Sequence, residues 1–224
     1  MSSFRLTVWN FLENLASNPH LLEETNHKNT KKILNAYCGK GQGLGNKCND
    51  HEACFAVQCE SNGWTLKRED SRNGIFYAYQ VHGPQRSIDF QLVYLVDGVV
   101  ADSVNFDLKH SEEDSIFLND GTFLRDVVYL VSFTRKLAPI KGQRKYPRQQ
   151  VCVIALGQDV MTEKDRTALE KRFALIKQLN SVKEDLDHLV LYNRNANQYS
   201  CKRFTPEFTE DCLRKTQSWI VPSA

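Results

Sequence analysis

Asp97-Gly98 separates two runs of alternating residues, and this arrangement constrains the fold more than any other feature of the chain. Before it, Ile88, Phe90, Leu92 and Tyr94 alternate with Asp89 and Gln91; after it, Val104, Phe106 and Leu108 alternate with Ser103, Asn105, Asp107 and Lys109. A period of two is that of a half-buried strand, and Asp-Gly between such runs is a strong hairpin-turn signal. Both apolar sets enter one core only if the positions of paired residues sum to an even number, because slipping one residue inverts a strand. A tight two-residue Asp97-Gly98 turn gives an odd sum. The hairpin is therefore expected to contain a three-residue loop with a Gly98 bulge, or a bulge elsewhere, setting Asp89 opposite Asn105 or Asp107. Either register gathers Asp89, Asp107 and Lys109 on one exposed surface, within side-chain reach.

The rest of the chain supplies layers for such a sheet. Leu6, Trp9, Phe11, Leu12 and Leu15 recur at helical spacing, a second helix is expected from about Asn29 to Tyr37, and a third runs from a cap at Asn49 or Asp50 to near Gly63. Beyond Trp64 the texture changes to strands, expected over Ile75–Val81, Ile88–Val96, Val99–Leu108, Val127–Phe133, Val151–Leu156 and Leu189–Tyr192. Thr162-Glu-Lys-Asp165 resembles a capping box, and Leu169, Phe173, Ile176 and Leu179 then mark the apolar face of a helix expected to cover the sheet. A last helix is expected over Thr209–Ile220. The reading is one α/β (α+β) domain spanning 1–224, with a helical part over 1–62 and a central mixed β-sheet flanked by helices over 63–224.

With 41% hydrophobic and 25% charged residues the chain has the composition of a globular protein, which argues against disorder. Its net charge of only +2 means that any case for nucleic acid must rest on local segments. Met1–Asn18 interrupts its apolar residues with Arg5, Asn10 and Glu13, unlike a signal peptide, and no segment reaches the roughly 18 uncharged apolar residues of a membrane span. An odd count of seven cysteines then favours reduced thiols and a cytoplasmic protein.

Two carboxylates and an ammonium converging at a sheet edge suit phosphodiester hydrolysis. The carboxylates hold one or two Mg²⁺ that neutralise the scissile phosphate and activate water, and the lysine stabilises developing charge or orients that water. Ser111 shares their face, where it can position water or phosphate; His110 points to the opposite face and reads as structural.

An Asp near the start of one strand, a hairpin, and then Phe106-Asp107-Leu108-Lys109 on the next resembles the PD-(D/E)XK nuclease superfamily, and the chain length is similar to that of a type II restriction endonuclease. The resemblance covers roughly residues 50–133 and departs from the usual pattern in having Ile88 before the first Asp. It implies a restriction-endonuclease-like fold, Mg²⁺-dependent cleavage of double-stranded DNA, Asp89, Asp107 and Lys109 as catalytic residues, and a homodimer, since symmetric DNA sites match two-fold proteins. In similar nucleases an acidic residue on the helix before the hairpin joins the metal site. Glu52 stands where that residue is expected; alternatively it supports the first turn of its helix.

Thr134–Gln150 lies between two expected strands and holds six positive residues and no acid, which suits phosphate and base contacts by Lys141, Arg144, Lys145 and Arg148. Asn193–Arg203 adds Arg194 and Lys202. Glu112, Glu113, Asp114 and Asp120 are instead expected to face water or a partner subunit. Cys38, Cys48, His51, Cys54 and Cys59 depart from zinc spacings and read as buried thiols. The glycines of 39–45 follow a helix and precede no Gly-Lys-Ser/Thr, so no nucleotide cofactor is expected. Two other readings stay open: a related nuclease of DNA repair or recombination, and a nucleic-acid-binding protein without catalysis.

Overall fold

In the computed structural model Asp97 and Gly98 both adopt positive φ, 51° and 81°, as the two central residues of a tight primed turn do. The turn joins β3 (Phe90–Val96) to β4 (Val99–Ser111). Near it the pairs are Val96↔Val99 and Leu95↔Val100, an odd register; from Tyr94↔Asp102 to Phe90↔Phe106 the register is even. Ala101 is the extra residue between the two registers, a bulge that restores the parity the apolar sets require. The tight turn and the shared core thus coexist.

The structure describes residues 3–23, 27–37, 48–80, 88–112, 115–118, 122–137, 147–181 and 197–222. The expected strand at Leu189–Tyr192 lies outside them. β1 (Thr65–Leu66), β2 (Gly74–Tyr79), β6 (Val128–Lys136) and β7 (Arg148–Leu156) complete a six-stranded sheet of order β1-β2-β3-β4-β6-β7. Its β1–β2 and β4–β6 pairs are parallel and the others antiparallel. The fold is mixed α/β, a central mixed sheet flanked by helices.

One face of the sheet is covered by α1 (Ser3–Ser17), α3 (Asp50–Ser61) and the end of α6 (Pro206–Ile220). Phe55 of α3 stands 4.8 Å from Phe90 and 5.8 Å from Phe106, ring centroid to centroid. Each such side chain fully buried contributes about 2–3 kcal/mol. α6 begins earlier than expected because Thr205 caps it, accepting from the Phe208 N–H at 3.2 Å, with Pro206 in the first helical position.

The other face is covered as well, by a two-stranded ribbon of β5 (Ser115–Leu118) and β8 (Asn197–Ser200), by α4 (Gly157–Val160) and by the start of α6. Sequence periodicity did not find this ribbon. At its edge Gly157 passes so close to the next loop that a Cβ there would stand 1.9 Å from the Leu124 carbonyl oxygen. α5 (Glu163–Ser181) differs from its expected role. Buried Arg166 donates to the carbonyls of Phe123 and Gly157, and Leu169 packs on the second core, but Leu175 and Leu179 are each 60% exposed. Only its first turns cover the sheet.

β6 and β7 also run beyond their expected ends, pairing Thr134↔Gln150, Arg135↔Gln149 and Lys136↔Arg148, so part of the expected basic loop is strand. No described helix is long and apolar enough to cross a membrane.

Candidate active site

β3 begins at Phe90, one residue after Asp89, whereas β4 continues to Ser111 with, among the described residues, only β6 paired beside it. Among the described residues no strand pairs with the outer edge of β4 from Asp107 onward. Asp89 occupies this edge: its N–H donates to the Phe106 carbonyl at 3.0 Å, and its carboxylate Oδ2 accepts the Leu108 N–H at 2.8 Å, a bond that a longer β3 would have claimed with its backbone. Behind it, the Asp89 carbonyl accepts from the Gln80 N–H at 2.8 Å, and Gln80 takes a positive φ of 49° to reach it. The Asp89 carboxylate is therefore fixed against β4 beside Asp107.

Asp107 and Lys109 follow the expected alternation. Gln91 and Asn105, on the same face, pair directly and bond side chain to side chain at 2.8 Å. The Lys109 ammonium donates to Asp107 Oδ1. The expectation that this face is exposed needs correction, because the β5–β8 layer covers it. Asp107 is 1% exposed, while the Lys109 side chain keeps 20%. Asp107 stands beside Tyr129 of β6 in register, and Tyr129 is itself buried, its hydroxyl accepting from the Leu124 N–H at 2.7 Å. The site is thus a recess, with Asp107 at its floor and Lys109 nearer solvent.

Electrostatics mark this recess. Burial and the neighbouring Asp107 charge push the Asp89 carboxyl well above the usual carboxylate range, and Glu52 adds to the effect; Lys109 and the Leu108 N–H oppose it. The site therefore disfavours the charged form of Asp89, even with Lys109 beside it.

Glu52 approaches from α3. Its carboxylate accepts the Asn49 N–H at 2.9 Å, closing the helix cap, and the Tyr79 hydroxyl at 2.6 Å. Tyr77 holds Glu60 of the same helix likewise, at 2.7 Å. Glu52 thus serves the first turn of its helix while contributing charge to Asp89. Sequence reasoning missed Tyr79 and the stacking of His51 on His110, whose rings lie 5.4 Å apart at the same end of β4. His110 lies on the α3 face, and burial, opposed by Glu52 and reinforced by Lys109, lowers His51 to about 4, so it is neutral at physiological pH. A histidine directly after Lys109 signals nothing by spacing alone; its helical partner His51 is brought to it only by the fold.

Among the other expected residues, Arg148 is exposed at the start of β7, and Lys202 is exposed on the turn Cys201–Arg203. Lys141, Arg144, Lys145 and Arg194 lie outside the described residues, as do Cys38 and the glycines of 39–45. Cys48, Cys54 and Cys59 are buried and form no disulfide, and burial together with Glu52 pushes Cys48 up to about 12. No group of three or more His, Cys, Asp or Glu among the described residues is arranged to hold a metal ion.

Compared with models of protein families, with curated proteins and with solved structures, the chain matches none.

Proposed function

We propose that the chain is a Mg²⁺-dependent endonuclease of double-stranded DNA, of the restriction-endonuclease-like kind, with Asp89, Asp107 and Lys109 as its catalytic residues. The observation that carries this reading is the Asp89 carboxylate held on the Leu108 N–H beside the Asp107–Lys109 pair.

The donor set fits Mg²⁺ better than a metal that demands a full protein cage. Mg²⁺ characteristically takes one or two carboxylates and completes its shell with water and phosphate oxygens, and Asp89 and Asp107 are two. The raised Asp89 carboxyl gives a second reason: two buried carboxylates so close are costly to ionise together, and a cation removes that cost. When bound, Mg²⁺ neutralises charge on the phosphate and lowers the pKa of water. Asp89 and Asp107 would hold it, Glu52 would act on Asp89 from the α3 side, and Lys109, nearer solvent, would stabilise charge developing on a phosphate oxygen. Asp107 in turn orients the Lys109 ammonium.

DNA contact is assigned to the basic hairpin end. Lys136 and Arg148 pair directly across β6 and β7, both exposed, and like charges directly opposite are unfavourable unless an anion joins them. A phosphate backbone supplies that anion. Lys141, Arg144 and Lys145 belong by sequence to the segment joining the two strands, and Lys202 and Arg194 are assigned as further contacts. A homodimer working in the cytoplasm completes the reading.

Incubation of the purified chain with a large mixed DNA and Mg²⁺ tests it. Cutting or nicking that chelation abolishes is expected, lost in Asp107→Asn and Lys109→Ala with DNA binding retained. Metal-independent binding without cleavage of any DNA would leave a non-catalytic binding protein as the better reading.

A further inference from the structure

A cavity of about 300 Å³ opens between the β5–β8 ribbon, the start of α5 and the turn Cys201–Arg203. Its volume is that of a small-molecule site. Leu118, Met161 and Tyr199 are its buried apolar lining, and Asp165, Gln198 and Arg203 are its exposed polar lining. These groups are positioned. The Tyr199 ring packs against the edge-on Phe123 ring at 5.1 Å, and its hydroxyl donates to the Val160 carbonyl at 3.3 Å. The Arg203 guanidinium lies 5.9 Å from the centre of the Tyr199 ring. Asp165 is tied to Thr162 by two hydrogen bonds at the start of α5, and Gln198 donates to Ser115 Oγ at 2.6 Å across the ribbon.

The composition of this lining selects a ligand class. A simple anion has no use for Leu118, Met161 and Tyr199, and a purely apolar ligand would strip water from Asp165 and Arg203 without replacing it. A planar heteroaromatic ring with polar edges and an anionic tail uses all of them. Its face lies on the apolar and aromatic floor, its N–H edge meets the carboxylate and the amide, and its phosphate meets the guanidinium.

We propose that this cavity binds one nucleotide, with Asp165 and Gln198 on the base edge and Arg203 on the phosphate. The nucleotide has two possible sources: a free mononucleotide, which is independent of the nuclease reading, or one unstacked from a DNA strand, which rests on it.

Two arms separate the sources. In the first, the full chain is titrated calorimetrically with each of the common nucleoside monophosphates. Saturable binding of at least one is expected, weakened at least about tenfold, or 1.4 kcal/mol, by Arg203→Ala and by Asp165→Asn, which keeps the helix cap. Ala168→Trp, which fills the cavity from its exposed rim, should block binding while thermal unfolding stays unchanged. In the second arm, duplex DNA carrying 2-aminopurine brightens on binding if the base is unstacked into the cavity, and Ala168→Trp removes the brightening.

Binding in the first arm alone assigns the cavity to free nucleotides; brightening assigns it to the strand. No binding at millimolar nucleotide together with no brightening overturns the proposal, as does binding that all three substitutions leave intact. Mg²⁺-dependent cleavage that persists in that case overturns the cavity alone, whereas nucleotide binding by a chain that never cuts DNA overturns the nuclease reading alone.

Discussion

β4 carries an acid–base pair near each end, and the two are built oppositely. Near the hairpin turn, Asp102 receives both the Nε and the terminal nitrogen of Arg5 at 2.8 and 2.7 Å, a forked pair that ties β4 to α1. Arg5 and Asp102 are 25% and 22% exposed, and the pair balances charge for charge. At the far end Lys109 meets Asp107, but there the aspartate is buried, and two more carboxyl groups, Asp89 and Glu52, interact within the same site. The first pair completes itself. The second has two further carboxyl groups beside it, and on the proposed reading that crowding separates a tether from a place where chemistry can occur.

The contrast predicts a graded set of outcomes. Asp107→Asn and Lys109→Ala should each lower Mg²⁺-dependent cleavage by at least about 10²–10³-fold, the scale of removing a charge-stabilising group, while Arg5→Ala leaves it unchanged; single-turnover rates on plasmid DNA check this. Equal losses in all three variants would erase the distinction.

Next in size is a stability effect at Gly157, where the Leu124 carbonyl leaves no room for a methyl group. Gly157→Ala should cost several kcal/mol, on the order of 3, measured by urea denaturation. It strikes the layer that buries Asp107 rather than the Arg5 tether.

A smaller effect concerns pH. The Asp89 carboxyl is raised in the folded chain, so between its ordinary value and the raised one the folded state binds more protons than the unfolded state. The stability contributed by its protonated form is fully present below the ordinary carboxylate range and lost as pH rises through the raised value. Asp89→Asn should therefore raise the melting temperature of the metal-free protein at pH 8 relative to pH 4, by on the order of 2–4 °C for each kcal/mol relieved. Mg²⁺ should stabilise the parent chain at pH 8 and not this variant. The smallest effect is that of Arg5→Ala on stability, about 1 kcal/mol for a partly buried pair.

How much of this was legible depended on what kind of signal each part carried. The hairpin was readable because Phe90, Leu92, Val104, Phe106 and Leu108 share a period, and parity then demanded the irregularity found at Ala101. That same period states which face Asp107 occupies but not whether another layer lies over it, so its burial was invisible. The covering ribbon consists of two four-residue strands, too short to show a period. α5 showed its helical repeat clearly, yet a repeat does not say how far along the helix a partner extends. Glu52 was ambiguous for a physical reason: a carboxylate three residues after Asn49 serves a helix cap and an acidic site with the same atoms, and only Tyr79, brought across from β2, shows how it is held.

The extra residue at Ala101 has a final consequence for how the hairpin can be altered. Because two-residue turn and bulge cancel each other's offset, lengthening the loop by one residue would be tolerated only if the bulge disappeared, and lengthening it by two would leave the bulge in place. Insertions at this tip are in effect counted modulo two, and an odd one would be absorbed some distance from where it was made, at the strand edge.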